Sequence, residues 1–275
     1  MIDEVVFLRH GRTSFNLERR LQGQIDVPLD IVGQWQADQT ALELAKRFYW
    51  AKVSFVARNP SALAHPGANA VRDSSIDEYR QAPASHRVMR VVSSDLFRAQ
   101  QTAHAFADIL GLPVALDPRL RERSFGRWEG LSRREIHDMD ADAYESWKTT
   151  MGGEKRYGVE SREEVGVRGA KAVEDLVASS QQSDRSQTLV IVGHGSWIVA
   201  AIGVLLGIEP DGGNNLSAMR NAFWSTMSVV HRSDGGVNWH LDEFDQGPQI
   251  ARFVDWENGP ADLRNPGMPM WRQIP

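Results

Sequence analysis

Two short stretches end an apolar run in a histidine flanked by glycine. Val5-Val6-Phe7-Leu8 leads into Arg9-His10-Gly11-Arg12-Thr13, and Leu189-Val190-Ile191-Val192 leads into Gly193-His194-Gly195. Each reads as a buried strand that stops in a glycine turn. Such strand ends make up the carboxyl edge of a parallel sheet, where α/β proteins bind ligands. His10 is therefore a candidate nucleophile. Arg9 is a candidate phosphate holder, because a guanidinium fork matches phosphoryl oxygens. One such histidine alone is equally well explained as a hydrogen-bonded turn residue. Two of them, together with Arg98 and Glu122 at or just after other expected strand ends, point to chemistry.

The intervening chain must supply the elements that bring these residues together. Thr13 or Ser14 caps a short helix to about Arg20, and Trp35, Leu42, Ala45 and Phe48 predict a helix from about Gln34 to Trp50. Residues 55–87 hold Asn59-Pro60, His65-Pro66-Gly67 and Ala82-Pro83, few large apolar residues, and a short helical pattern at Ser75 to Gln81. They read as an insertion, either a plain surface loop or a lid or oligomer contact. Val88 to Val92 is a second strand, Ser93-Ser94-Asp95 cap a helix to about Leu110, and Pro113 to Leu116 is a third strand.

Arg119 to Gly130 is a charged loop, Ser132 with Glu135 and Ser161 with Glu164 are capping boxes, and Asp140 to Trp147 is helical. A helix from Trp197 to Leu206 follows His194, and Ala222 to Val230 and Val237 to Leu241 are strands joined at Asp234-Gly235-Gly236. Strands alternating with helices imply an α/β fold: a three-layer, doubly wound, mainly parallel sheet with helices on both faces and an antiparallel edge. Residues 1–245 are expected to form one domain interrupted at about 55–87. Residues 246–275 form a Pro/Gly-rich tail carrying Trp256 and Trp271.

Bulk composition narrows the class. The 275 residues carry a formal charge of −5, 41% hydrophobic residues and no cysteine. Thiolate nucleophiles, disulfides and Cys-ligated zinc are excluded, and a nucleic-acid partner is not expected of an acidic chain. Positive charge for a phosphate must therefore be concentrated locally. Met1-Ile2-Asp3-Glu4 has no basic n-region, so no signal peptide is expected, and the apolar stretch Leu189 to Ile208 reads as strand, turn and helix rather than a membrane span. The expected location is cytoplasmic. The remaining histidines lack metal-ligand spacing.

In its ordered motifs the chain resembles the histidine phosphatase superfamily, with its phosphoglycerate-mutase-like fold. The matching residues are Arg9-His10-Gly11-Arg12-Thr13 with Asn16; Gln22-Gly23 before Asp26, Pro28 and Leu29; and Ser94-Asp95-Leu96 with Arg98-Ala99 and Thr102-Ala103. They continue with Leu120 and Glu122 before Gly126, Trp128, Glu129 and Gly130, then Glu160-Ser161, then Gly193-His194-Gly195. They span nearly the whole chain.

The resemblance implies roles that physical chemistry makes sensible. His10 would become phosphohistidine, and Arg9 and Arg98 would grip the phosphoryl oxygens. His194 would add a donor and, if cationic, further charge. Asn16 and Gln22 would donate neutral hydrogen bonds, with Gly23 beside them, and Glu122 would serve as proton donor and then as base. Surface ion pairs with Arg121 or Arg123 are the plain alternative for Glu122, and an exposed ion pair is the favoured reading of Glu129. The nine tryptophans read as core or interface fillers, with pocket walls as the second reading for Trp128 and Trp197.

Gly193-His194-Gly195-Ser196 and the segment Arg123 to Gly130 are similar to phosphatase branches, and the runs Gly158 to Val165 and Met219 to Ser225 are similar to actinobacterial broad-specificity phosphatases. Among these are the glucosyl-3-phosphoglycerate phosphatases. The implied activity is metal- and cofactor-independent hydrolysis of a small phosphomonoester. A cofactor-dependent phosphoglycerate mutase is the alternative within the class, and an inactive phospholigand-binding or scaffold protein is the alternative outside it. Partners are expected to be small molecules, with neither nucleic acid nor membrane. The strand Ala222 to Val230, taken as an apolar edge, and the tail tryptophans are compatible with a homodimer.

Overall fold

The computed structural model describes residues 1–58, 89–149, 151–180, 186–208, 216–252 and 255–264. The expected helix at Ser75 to Gln81, most of the 55–87 insertion, and Trp271 lie outside the described residues. Six strands form one sheet: β1 (Ile2–Arg9), β2 (Met89–Ser93), β3 (Val114–Leu116), β4 (Gln187–Gly193), β5 (Trp224–His231) and β6 (Val237–Gln246). Their spatial order is β3-β2-β4-β1-β5-β6. The first four are mutually parallel, while β5 pairs antiparallel with both β1 and β6. The expected apolar edge strand is therefore an interior one. The edge is β6, whose burial alternates along much of its length, so the sequence argument for a dimer through β5 falls.

Alternation along β1 divides its side chains between two cores. Val5 and Phe7 join a cluster with Trp197, Ile198 and Ile202 of α7 (Gly195–Leu205) and Val165 and Val173 of α6 (Arg162–Ala178). Val6 and Leu8 join the opposite cluster, with Leu44 and Phe48 of α2 (Ile31–Arg58) and Ala103 and Phe106 of α3 (Phe97–Leu110). Helices on both faces explain why β1 and β4 read as continuous apolar runs.

Several local expectations change in instructive ways. The first helix, α1 (Ser14–Leu17), is a single turn capped by Thr13. The second begins at Ile31 rather than Gln34. Asp30 accepts from the Gly33 N–H at 2.7 Å, and glycine masks the helical start. The Ser93-Ser94-Asp95 cluster does not cap α3; its N-cap is Leu96, and the Phe97 N–H donates instead to Asp26 Oδ1 at 2.7 Å, across the fold. Both capping boxes form, at α4 (Arg133–Met139) and at α6. Between them lies α5 (Ala141–Lys148).

The chain beyond β6 returns to the core. Its short helix α8 (Asp255–Asn258) carries Trp256, fully buried against Trp35 and Phe223. The Trp256 carbonyl accepts from Gln36 Nε2, whose Oε1 in turn accepts from the Arg12 N–H. The last described segment thus braces the loop that follows His10.

Candidate active site

Three parallel strands end side by side. Arg9 pairs with Gly193 in register, and the Ser94 N–H continues the ladder to Val192. His10 is locked into this edge from both sides. Its N–H donates to the Gly193 carbonyl at 3.0 Å, and its own carbonyl accepts from Ala222 at 3.1 Å. The loop after His10 turns sharply against the start of α2. A Cβ on Gly11 would overlap the Gly33 carbonyl, and one on Gly33 would overlap Arg12, so only glycine fits at either position.

The His10 side chain is 2% exposed, with Nδ1 2.6 Å from the Gly11 carbonyl oxygen. A carbonyl only accepts, so Nδ1 carries the proton and Nε2 keeps its lone pair. Burial, then the charges of Arg98 and Arg9, push the His10 pKa well below the usual histidine value. The ring is therefore neutral and nucleophilic at neutral pH. The His194 ring lies 5.2 Å from it, fully buried, and is held neutral by burial and then by Arg98, His10 and Arg9. The expectation that His194 adds positive charge does not hold in this state.

Charge comes from Arg9 and Arg98. Arg98 is fully enclosed near the start of α3. Its Nη1 and Nη2 donate to the carbonyls of Ile25 and Gly23 at 2.8 Å each. Burial lowers its pKa to about 10. Arg9 donates through Nη1 to the Met219 carbonyl, and it packs on Gly195 so closely that a Cβ there would stand 3.2 Å from its Nε. Thr102 couples the two arms: it accepts from the Gly11 N–H and donates to the Arg98 carbonyl. Each guanidinium's positive charge acts against the other's. The Nε atoms of Arg9 and Arg98 and Nδ1 of His194 are buried without a hydrogen-bond partner. Buried polar atoms are rarely left so. Arg9 and Arg98 line a polar cavity together with His10, where an oxyanion would satisfy their free nitrogens.

Asn16 and Gln22 line the same cavity, of about 730 Å³. The Asn16 carbonyl oxygen accepts from the Thr13 N–H and from Asn221 Nδ2, while that of Gln22 accepts from the Thr13 hydroxyl. Each amide NH2 is thereby left as the group facing a ligand. Gly23 has φ 53° and also lines the cavity, but its carbonyl is committed to Arg98.

Glu122 does not form the surface ion pair considered for it. It is 9% exposed and sits on the N-terminus of α7, with Oε1 accepting from the Arg123 and Trp197 N–H groups and Oε2 from Ser196. Its loop is held from α6, where Arg168 donates to the carbonyls of Arg119 and Arg121 and pairs with Glu160. Glu122 and Arg9 border both the polar cavity and an adjoining one of about 510 Å³. Glu129 corrects a second expectation. Its carboxylate accepts from the Gln24 and Phe125 N–H groups, tying the Gly23 turn to the Glu122 loop. Trp128 and Trp197 are fully buried core residues, in line with the filler reading rather than the wall reading; Phe125 and Trp147 line the adjoining cavity instead.

Sequence reasoning missed Asn221, whose Nδ2 donates to the His10 carbonyl at 3.1 Å, and Ser94, which meets His194 Nε2 at 2.9 Å. Both lie in stretches singled out as motifs, but nothing in the residue types reveals a long-range side-chain bond. It also missed the buried Arg12–Asp30 pair, at 2.7 Å, under the His10 loop.

This geometry defines an α/β protein with a polar, arginine-lined cavity at the carboxyl edge of its sheet. A family model described as the histidine phosphatase superfamily (branch 1) matches residues 5–57 and 75–242, and the chain belongs to that family. Within it the chain stands in the glucosyl-3-phosphoglycerate phosphatase branch, and it is a phosphatase. It is 31% identical over 264 residues to a glucosyl-3-phosphoglycerate phosphatase of Mycolicibacterium vanbaalenii, covering 92% of this chain and 99% of that one. It is also 31% identical over 247 residues to a probable phosphoglycerate mutase GpmB of Yersinia enterocolitica, covering 87% and 91%. The structure of a mycobacterial glucosyl-3-phosphoglycerate phosphatase in complex with VO3 superposes with a TM-score of 0.66 at 29% identity, covering 89% of this chain and all of that one. No helix among the described residues is long and apolar enough to cross a membrane.

Proposed function

We propose that the chain hydrolyses a small anionic phosphomonoester through phospho-His10, with Glu122 moving the protons. The observation that carries this is the trio of buried, unpartnered nitrogens on Arg9, Arg98 and His194 around a neutral His10. His10 Nε2 attacks phosphorus and the ester P–O bond breaks, with Glu122 protonating the leaving oxygen. Glu122, now a carboxylate, takes a proton from water as its oxygen bonds to phosphorus. The P–N bond then breaks and its electron pair returns to Nε2. Arg9, Arg98, His194 and the amides of Asn16 and Gln22 hold the three equatorial oxygens, where charge is greatest in the transition state.

Glucosyl-3-phosphoglycerate is our proposed substrate. The name of the mycolicibacterial relative supports it, as do the exposed arginines Arg19, Arg133 and Arg134 lining the polar cavity, which suit a second negative charge. A cytoplasmic location fits a small phosphorylated metabolite as substrate. A homodimer is tested by sedimentation of the purified chain.

The deciding assay compares p-nitrophenyl phosphate, glucosyl-3-phosphoglycerate and 3-phosphoglycerate, the last with and without its bisphosphate. Phosphate release, fastest from the glucosyl ester, supports the proposal. Isomerisation of 3-phosphoglycerate without phosphate release makes the chain a mutase, and no turnover on any of them overturns the catalytic reading.

A further inference from the structure

Ser94 lies at the carboxyl end of β2, fully buried, with its Oγ 2.9 Å from Nε2 of the equally buried His194. The same Oγ accepts from the Leu96 N–H at 3.3 Å. A serine hydroxyl has one proton to give, and its oxygen accepts. With Leu96 already donating to it, the hydroxyl proton has one acceptor among the described residues, the imidazole Nε2. If Nε2 carried the proton instead, the Ser94 O–H would be stranded in the core, at a cost of about 1–3 kcal/mol. Nδ1 would then turn a lone pair toward the anion. With the proton on Nδ1, the Ser94 hydroxyl and the imidazole Nε2 satisfy each other. Nδ1–H then joins the Nε–H groups of Arg9 and Arg98 as an unpartnered donor beside His10.

We propose that Ser94 is a positioning residue that fixes His194 as its Nδ1–H tautomer, so that a neutral His194 donates to the phosphoryl group. The proposal rests on the phosphatase reading for its consequence, though the tautomer itself does not. Burial and the neighbouring charges of Arg98, His10 and Arg9 keep the ring uncharged, which agrees with this arrangement. His194 then contributes direction rather than charge, which Arg9 and Arg98 supply next to His10. Ser94 reaches this place because β2 neighbours β4, so the residue following one strand lies beside the residue following the other. The Ser93 hydroxyl donates to the Ser94 carbonyl and steadies the turn.

Nitrogen-15 NMR of the histidine-labelled full chain reads the tautomer directly, since protonated and bare ring nitrogens have distinct shifts. The expected wild-type spectrum has His194 protonated at Nδ1 and bare at Nε2. Ser94→Ala should give a tautomer mixture and lower kcat on p-nitrophenyl phosphate by about 10–100-fold, less than the roughly 100–1000-fold for losing an oxyanion donor outright. Ser94→Thr, which keeps the hydroxyl, should restore both. Protonation at Nε2 in the wild type, or unchanged ring shifts and turnover in Ser94→Ala, overturns the proposal. If Ser94→Ala fails to fold, the wild-type spectrum decides alone. A wild type that never turns over defeats the phosphatase reading, while its spectrum still reports the tautomer.

Discussion

Replacing Glu122 by Gln separates proton transfer from phosphate binding. The carboxylate satisfies three backbone donors, two through Oε1 and one, from Ser196, through Oε2. A glutamine placed in the same pose keeps its carbonyl oxygen on Arg123 and Trp197 and sets its NH2 against the Ser196 N–H. One lost acceptor costs about 1–3 kcal/mol, at the low end because Ser196 is only partly buried. The variant should therefore fold, with a modestly lowered Tm. Its chemistry should suffer more: losing a positioned acid costs roughly 10²–10⁴ in rate, about 3–5 kcal/mol of barrier.

That loss depends on the leaving group. An alkoxide needs the proton, whereas p-nitrophenolate leaves as a stable anion. The kcat/KM for an alkyl phosphomonoester should fall at least about 100-fold further than that for p-nitrophenyl phosphate. With Glu122 also activating water in the proposed reaction, the aryl ester should show a burst of nitrophenolate followed by slow turnover. The assay is stopped-flow release of nitrophenolate beside steady-state phosphate release. Equal losses on both esters with no burst would refute the reasoning, leaving Glu122 as a structural brace for α7.

Three further outcomes test the scaffold. Asp30→Asn removes the partner of a buried Arg12 and should lower stability by about 3–5 kcal/mol in urea unfolding; a loss under 1 kcal/mol contradicts the brace. Ending the chain at Gln246 removes the fully buried Trp256, worth about 3–5 kcal/mol by comparison with core truncations, and should lower Tm and turnover together. An unchanged Tm would show the returning segment to be dispensable. His10 and His194 are neutral in the folded state, so below about pH 6.5 the unfolded chain binds more protons and stability falls with pH. Each histidine contributes a slope of up to about 1.4 kcal/mol per pH unit. His194→Asn should flatten the unfolding free energy between about pH 6.5 and 5, and an unchanged slope contradicts the neutral assignment.

The strand ends were legible because β1 and β4 are covered on both faces and so read as unbroken apolar runs before Arg9 and His194. Capping boxes at Ser132 and Ser161 were legible because their partners lie three residues away. What escaped is what depends on distance in sequence. The Asp26 cap on α3, the Asn221 bond to the His10 carbonyl and the Ser94 contact with His194 each join residues far apart, through side chains whose types are ordinary in loops. The helical start at Ile31 was hidden by Gly33, which serves close packing against Arg12 rather than ending an element. Glu129 looked like surface charge because composition cannot show that the chain folds two N–H groups onto it.

Trapping the covalent intermediate tests the central claim most directly. Acid lability and alkali stability mark phosphohistidine, so the protein is mixed briefly with a 32P-labelled phosphomonoester, quenched in alkali, and digested for mass spectrometry. The predicted result is a single phosphoryl group on His10 that is chased by unlabelled substrate and is absent from His10→Ala. A label on His194 or another residue, or turnover with no phosphoenzyme at all, would contradict the account.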